Sequence, residues 1–267
     1  MDPRVARTIL FVPGSRPDRF RKAAASGADL VVLDLEDAVS PDSKAEARRS
    51  VREYLAQAAA AVRINAAGTQ WHREDLEKLG AIASAVMVPK AEAGIALTEV
   101  GRSLEAMGTP LLALVETAAG ILDARAIAAT PGVSRLVFGS FDLAAELGVD
   151  PLDREALGHA RTSLVLASAA AGLAGPVDSV HSQLVDEAGL REETELARRL
   201  GFTGKLCIHP AQVSVIEAAM SPRREQLEWA RKIIEASESG GAVLAVDGAM
   251  VDKPVIDRAR RMLQAGR

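Results

Sequence analysis

The chain is poor in residues that several functional classes require. It has one cysteine, Cys207, so no intrachain disulfide can form and a reducing cytoplasm is the expected setting. Cys207 lies within the apolar stretch of GKLCIHPAQ and reads as a packed core thiol rather than a nucleophile. There are four histidines, with no cluster at metal-ligand spacing, which argues against zinc. Aromatic residues are 3% of the chain, too few for a base- or sugar-stacking surface. Positive charge is not in excess. The formal net charge is −4, whereas a nucleic-acid surface calls for a strongly basic domain. No apolar run approaches the roughly 18 residues of a membrane span, and the N-terminal run ILFVP is too short for a secretory signal. No GxGxxG follows that first run, so the dinucleotide-binding signature is missing as well.

Hydrophobic residues, in contrast, make up 48% of 267 residues, enough to bury a full core. They come as short runs that each end in a charged or polar group. The clearest is LVVLDLEDAV, residues 30–39, which breaks into Asp34, Glu36 and Asp37. A short, β-branched, continuously apolar run reads as a strand buried on both faces. Eight such strands are expected, at residues 8–12, 30–34, 61–64, 85–88, 111–115, 135–138, 176–180 and 205–208. Helical patterns separate them, including 16–25, 42–58, 154–171, 186–200 and 211–220. This alternation implies parallel βαβ units, and eight units in about 250 residues favour an α/β fold of the (β/α)8 TIM-barrel type. The expected catalytic barrel covers 1–220. Beyond it, 221–267 reads as a helix–hairpin–helix extension. A helix over 226–237 precedes strands at 242–246 and 249–251 flanking Asp247-Gly248, a hairpin signal, and a helix over 255–263 follows. A barrel closes without this extension, which is expected to pack on the barrel or on a neighbouring subunit.

Barrel enzymes assemble their sites at the C-terminal strand ends, so the residues that end each run are the candidates. Glu116 and Asp142 can share an octahedral Mg²⁺ and leave positions for substrate oxygens; alternatively, each caps its following helix. Arg63 can hold a carboxylate through two parallel hydrogen bonds, or pair with Asp34, Glu36 or Asp37. Lys90 reads as a salt-bridged ammonium among these acids rather than a Schiff-base lysine. Arg16, Arg19, Arg21 and Lys22 form a basic first loop and helix, either a solvated face or an anion-binding edge. His209 is as readily a structural cap as a base. Asp252 stands at the N-cap position of the last helix, before Lys253-Pro254.

Taken together, FVPGSRPDRFRKAAASGADLVVLDLEDAV, VRINAAGT, VPKAE, ALVETAAGI, FGSFDLAAELG, CIHPAQV and GAMVDKPV resemble, in order and spacing, the beta-subunit family of citrate lyase. That family stands with the malyl-CoA and citramalyl-CoA lyases in the HpcH/HpaI aldolase/citrate lyase superfamily of phosphoenolpyruvate/pyruvate-type barrels. The resemblance implies that Glu116 and Asp142 bind Mg²⁺. It implies that Arg63 and backbone groups of Gly139, Ser140 and Phe141 meet the substrate carboxylate. It also implies that Glu36 and Asp37 support the arginine and a metal-bound water, and that Lys22, Ile208 and His209 lie on the thioester side. Asp252 matches an aspartate that completes the site of a neighbouring subunit in lyases acting on CoA thioesters, which implies a homo-oligomer, a trimer or a multiple of it. The implied reaction is carbon–carbon cleavage, or its reverse, of a 3-hydroxy-3-carboxy acyl thioester. Its products are an α-keto acid such as oxaloacetate, glyoxylate or pyruvate and an acyl thioester of CoA or an acyl carrier. Two other readings stay open: a class II aldolase acting on free hydroxy-keto acids, and a non-catalytic subunit of a lyase complex.

Overall fold

A computed structural model describes residues 2–238, 244–246 and 249–265. The chain divides into two compact units, Met1–Glu217 and Ala218–Arg267.

The first unit alternates strands and helices: β1 (Thr8–Pro13), α1 (Phe20–Ala24), β2 (Leu30–Asp34), α2 (Lys44–Leu55), β3 (Ala61–Arg63), α3 (His72–Leu79), β4 (Val86–Val88), α4 (Ile95–Met107), β5 (Leu111–Val115), α5 (Ala118–Leu122), α6 (Ala124–Ala128), β6 (Val133–Phe138), α7 (Ser140–Leu147), α8 (Gly158–Ala170), β7 (Val177–Asp178), α9 (Glu187–Leu200) and β8 (Gly204–Cys207). α10 (Ala211–Met220) contains the boundary between the units. The eight strands pair in sequence order, all parallel, and β8 closes on β1. This is the (β/α)8 TIM barrel. Among the described residues, no helix is long and apolar enough to cross a membrane.

Strand pleating explains how the sequence builds both core and mouth. Alternate residues face one side of a sheet, and Ile9, Leu30, Val32, Ala61, Met87, Leu112, Leu114, Val137, Val177 and Leu206 form one buried cluster inside the barrel. Two residues further along the same faces stand Asp34, Arg63, Glu116, Gly139 and Ile208. The inward pleat therefore changes from hydrocarbon to polar groups where the strands end. At the opposite end the inward Arg135, fully buried, plugs the barrel. Its guanidinium donates to the carbonyls of Gly175 and Ala6 at 3.0 and 2.5 Å and to Thr203 Oγ1 at 2.8 Å. The outward Asp178 and Lys205, register partners on β7 and β8, pair at 2.8 Å under the helices.

Local chemistry moves several expected boundaries. The helix expected over 16–25 is broken into a 3₁₀ turn (Pro17–Arg19) and α1, with Arg16 held by a bidentate pair to Asp18. The helix expected from 154 begins at Gly158, because Asp150 and Asp153 side chains accept the N–H groups of Leu152, Glu155 and Ala156 and hold turns there. The strand expected over 176–180 is only Val177–Asp178; Ser179 leaves the ladder and its hydroxyl accepts the Ser140 N–H at the start of α7 instead.

The second unit holds α11 (Arg224–Glu238), β9 (Leu244–Val246), β10 (Ala249–Val251) and α12 (Lys253–Ala265). β9 and β10 pair antiparallel, Ala249 opposite Val246. Asp247-Gly248 lies outside the described residues. Ala230, Ile233, Val251 and Ala259 form the core of this unit. α12 starts two residues before the expected position, because Asp252 Oδ1 accepts the Val255 N–H at 3.2 Å and caps it.

Candidate active site at the barrel mouth

The mouth is built outward from Asp34, the last residue of β2. Its buried carboxylate closes the following turn by accepting the N–H groups of Glu36 at 2.9 Å and Ala38 at 3.2 Å. It also takes Nε and Nη2 of Arg63, its register partner on β3, at 2.7 Å each. This fork is the strong, planar form of the carboxylate–guanidinium pair. Lys44 of α2 fixes the same turn from behind, its ammonium donating to the carbonyls of Leu35 and Glu36 at 2.7 Å. Glu36 is thereby turned inward, with Oε2 2.9 Å from Arg63 Nη1 but outside hydrogen-bond geometry. Asp37 lies at the rim, 3.8 Å from Nη1. The guanidinium rests 4.9 Å from the centre of the Phe11 ring. Burial opposes its charge, but the hydrogen bonds to Asp34 and the nearby acids outweigh burial and raise its pKa.

Lys90, after β4, connects two sets of acids. Its backbone N–H donates to Glu116 Oε1 at 2.9 Å, while its ammonium meets Glu36 Oε1 at 3.0 Å and Asp142 Oδ2 at 3.5 Å. Burial works against the ammonium, yet Glu36, Asp37 and Glu116 move its pKa up. Lys90 is thus a charged, salt-bridged side chain.

Glu116, two residues past Leu114 on the inward face of β5, is 4% exposed. It does not cap α5; Thr117 does, accepting the Gly120 N–H. Burial, then repulsion from Glu36 and Asp142, pushes its carboxyl up from 4.5 to about 8 against the pull of the Lys90 N–H and Arg63. Asp142 lies in the first turn of α7 and makes no cap either, since that helix has Gly139 at its N-cap and no side-chain capping bond. Gly139 is required by packing: a Cβ there would lie 2.5 Å from Glu116 Cβ. Its N–H goes to the Val115 carbonyl and that of Ser140 to Ser179 Oγ. The Phe141 N–H, in the first turn of α7, has no intrahelical partner to satisfy.

Arg63, Glu116, Gly139, Phe141, Asp142 and Ile208 line one open cleft of roughly 480 Å³ together with Asp34, Asp37 and Phe11. Glu36 sits just behind it. Arg19 is the member of the basic first loop that reaches the cleft; Lys22 is exposed and does not line it. His209 is exposed, and its Nδ1 accepts the Ala211 N–H at the start of α10, which makes it a local cap. The Ile208 and His209 N–H groups both face Gln212 Oε1. Asp252 caps α12 in the second unit. Cys207 is fully buried in β8, and burial pushes its thiol up to about 12, as expected for an inert core residue.

Among the described residues no group of three or more acids, histidines or cysteines could hold a metal by itself. Glu116 and Asp142 form a set of two hard oxygen donors, with a raised carboxyl that lacks a full counter-charge. That set suits Mg²⁺, which keeps waters or substrate oxygens in its remaining positions.

Positional inference from the strand ends missed Lys44, because one lysine in an amphipathic helix carries no mark of a carbonyl clamp. It also missed Ser179, which was placed inside a strand. Asp75 on α3, fully buried, accepts the backbone and side-chain N–H of Asn65 at 3.0 and 2.6 Å and Arg48 Nε at 2.6 Å. It thereby anchors the loop that follows Arg63. It shares the buried face of α3 with Leu79.

An all-parallel eight-stranded barrel with acids and arginines converging on one cleft at the C-terminal strand ends defines a class of barrel enzymes whose ligands bind at that mouth. Similarity to known proteins narrows the class. The sequence profile of the HpcH/HpaI aldolase/citrate lyase family matches residues 7–210, and this chain belongs to that family. A citrate lyase subunit beta-like protein of Mycobacterium tuberculosis is 40% identical over 263 residues, covering 96% of this chain and 93% of the relative. A (3S)-malyl-CoA thioesterase of Cereibacter sphaeroides is 40% identical over 269 residues, covering 96% and 93%. Among solved structures, CitE of Mycobacterium tuberculosis in complex with magnesium, acetoacetate and coenzyme A has a TM-score of 0.86 at 38% identity, covering 98% of this chain and 99% of that one.

Proposed function

We propose that this protein is a Mg²⁺-dependent carbon–carbon lyase that cleaves, or forms, a 3-hydroxy-3-carboxy acyl thioester of the malyl, citramalyl or citryl type. The observation that carries this reading is the single cleft in which Glu116 and Asp142 stand beside Arg63. A similar chain that binds magnesium, acetoacetate and coenzyme A together supports both the metal and the thioester carrier. Magnesium held by Glu116 and Asp142 would supply Lewis-acid stabilisation of the negative charge that develops as the bond breaks.

The chain's own residues divide the remaining work. Arg63 has its Nε–Nη2 edge committed to Asp34, so it meets the substrate carboxylate with its remaining N–H groups. Asp34 and Phe11 hold the guanidinium plane in place for that contact. The Phe141 N–H at the start of α7 adds a second donor, favoured by the helix N-terminus. Glu36 and Asp37 steady Arg63 and would do the same for a water brought by the magnesium. In cleavage the hydroxyl loses its proton, the C2–C3 bond breaks, an α-keto acid leaves, and the thioester enolate takes a proton at carbon. Asp252 of a neighbouring subunit in a trimer is our candidate for the donor of that proton. Arg19 and Ile208 stand on the thioester side. The lone buried Cys207 fits a cytoplasmic setting.

One observation favours a second reading. A relative of equal identity is a thioesterase, so the same cleft in this chain could direct water to the thioester. Incubating the protein with Mg²⁺ and malyl-, citramalyl- or citryl-CoA separates the two. Cleavage yields an α-keto acid and an acyl-CoA with no free thiol. Hydrolysis yields free CoA thiol and an intact hydroxy acid.

A further inference from the structure

Lys90 is the one non-glycine residue with a positive φ among the described residues, at 49°. That conformation is unfavourable for a residue with a Cβ, and it persists only where the surroundings hold it. Here two hydrogen bonds do so: Lys90 N–H to Glu116 Oε1 at 2.9 Å, and the next N–H, of Ala91, to the Leu114 carbonyl at 2.9 Å. Fixed in this way, the side chain places its ammonium between Glu36 and Asp142. Five carboxylates belong to this mouth: Asp34, Glu36, Asp37, Glu116 and Asp142. Arg63 is committed to Asp34 and leans on Glu36, which leaves Lys90 as the counter-charge that touches Asp142. Its side chain is 42% exposed, so it has solvent to swing into.

We propose that the Lys90 ammonium is an internal stand-in for the divalent cation: it holds Asp142 while the metal is away and must leave Asp142 for the metal to bind. Its backbone meanwhile keeps Glu116 aimed in both states. Lys90 is therefore a positioning residue whose two halves do different jobs. This inference rests on Glu116 and Asp142 being the metal pair. It predicts an effect opposite in sign to that of ordinary site damage. Removing the ammonium leaves the carboxylates unneutralised and raises affinity for Mg²⁺, because a positive charge a few ångströms from the metal position opposes binding.

The test is calorimetric titration of Mg²⁺ into metal-stripped, substrate-free full-length protein. The variants are Lys90→Gly, which accepts a positive φ without strain, Lys90→Gln, which keeps a polar stem without the charge, and Glu116→Gln. We expect saturable binding by the wild type, its loss in Glu116→Gln, and binding at least tenfold tighter in both Lys90 variants. Melting temperatures read alongside should show a larger Mg²⁺-induced rise in Lys90→Gly than in the wild type. Equal or weaker Mg²⁺ binding by a folded Lys90 variant, with binding still lost in Glu116→Gln, overturns the stand-in role alone. No saturable binding by the wild type overturns the metal pair and this inference with it.

Discussion

At the scale of single residues, the mouth works by placing carboxyl groups where water cannot fully support their charge. Glu116 is the extreme case. In the metal-free protein its carboxyl stands at about 8, against an ordinary value of 4.5. The folded state therefore keeps a proton that the unfolded chain has already released between those two values, and stability falls as pH rises through that window. We expect denaturant titrations in chelator to show a loss on the order of a few kcal/mol from about pH 5 to 8. Glu116→Gln should flatten the slope; an identical slope in that variant would contradict the assignment. Gly139→Ala should cost metal binding without unfolding the barrel, since its Cβ would press on Glu116 at 2.5 Å, and Mg²⁺ titration reads this directly. Arg63→Lys removes both the fork to Asp34 and the donors facing the cleft. Losing one charge-assisted bond, about 1.5–3 kcal/mol, should weaken keto-acid binding roughly 10- to 150-fold, with a lower melting temperature because Asp34 is left buried and half-paired. Glu116 and Arg63 were legible as candidates from their position at the ends of apolar runs, whereas Gly139 entered only through the family resemblance. Which acid Arg63 chooses was not, because Asp34, Glu36 and Asp37 are equivalent in a one-dimensional pattern and only the strand register puts Asp34 opposite Arg63.

At the scale of elements, the loops after β2 and β3 are positioned by groups behind the mouth. Lys44 reaches from α2 to hold two carbonyls of the β2 loop, and Asp75 reaches from α3 to hold Asn65 in the β3 loop. Asp75 also pairs with Arg48 of α2, whose side chain is 5% exposed against 0% for Asp75. Removing Asp75 leaves Arg48 its second partner, Glu74, but strips the buried N–H groups of Asn65 of their acceptor, at a cost of about 1–3 kcal/mol. Asp75→Ala should therefore destabilise the protein by that order in equilibrium denaturation and raise KM more than it lowers kcat, since Arg63 lies just ahead of the released loop. A change below about 0.5 kcal/mol, the size typical of surface substitutions, would show that Asp75 is not carrying the loop. Strands were readable because buried parallel strands are continuous in hydrophobicity, and β2 and β5 fall at the expected limits. Helix starts near 16 and 154 were not, because aspartate side chains and a proline reshape the chain locally before the helices begin. The clamps were invisible for a different reason: a lysine or an aspartate on a helix looks the same whether it faces solvent or a carbonyl.

At the scale of the whole molecule, eight strand–helix units announce a barrel before any residue is assigned, and the closed parallel order follows. The second unit was legible as a helix, two short strands and a helix. We expect it to serve assembly. Asp252 caps α12 within its own chain, and we expect it also to serve a neighbour's mouth. Co-assembling Asp252→Ala with Glu116→Gln, each inactive alone, should restore partial activity, because a mixed oligomer holds some sites with an intact metal pair from one chain and an intact Asp252 from another. No rescue in verified mixed oligomers would return Asp252 to helix capping alone. The central claim, carbon–carbon cleavage driven by the Glu116–Asp142 pair, is tested most directly by mass analysis of products from malyl-, citramalyl- and citryl-CoA incubated with purified protein and Mg²⁺. The account predicts an α-keto acid and the shortened acyl-CoA in equal amounts from at least one of them, abolished by chelator and by Glu116→Gln. Release of free CoA with the hydroxy acid intact, or keto-acid formation that survives chelator, would contradict it.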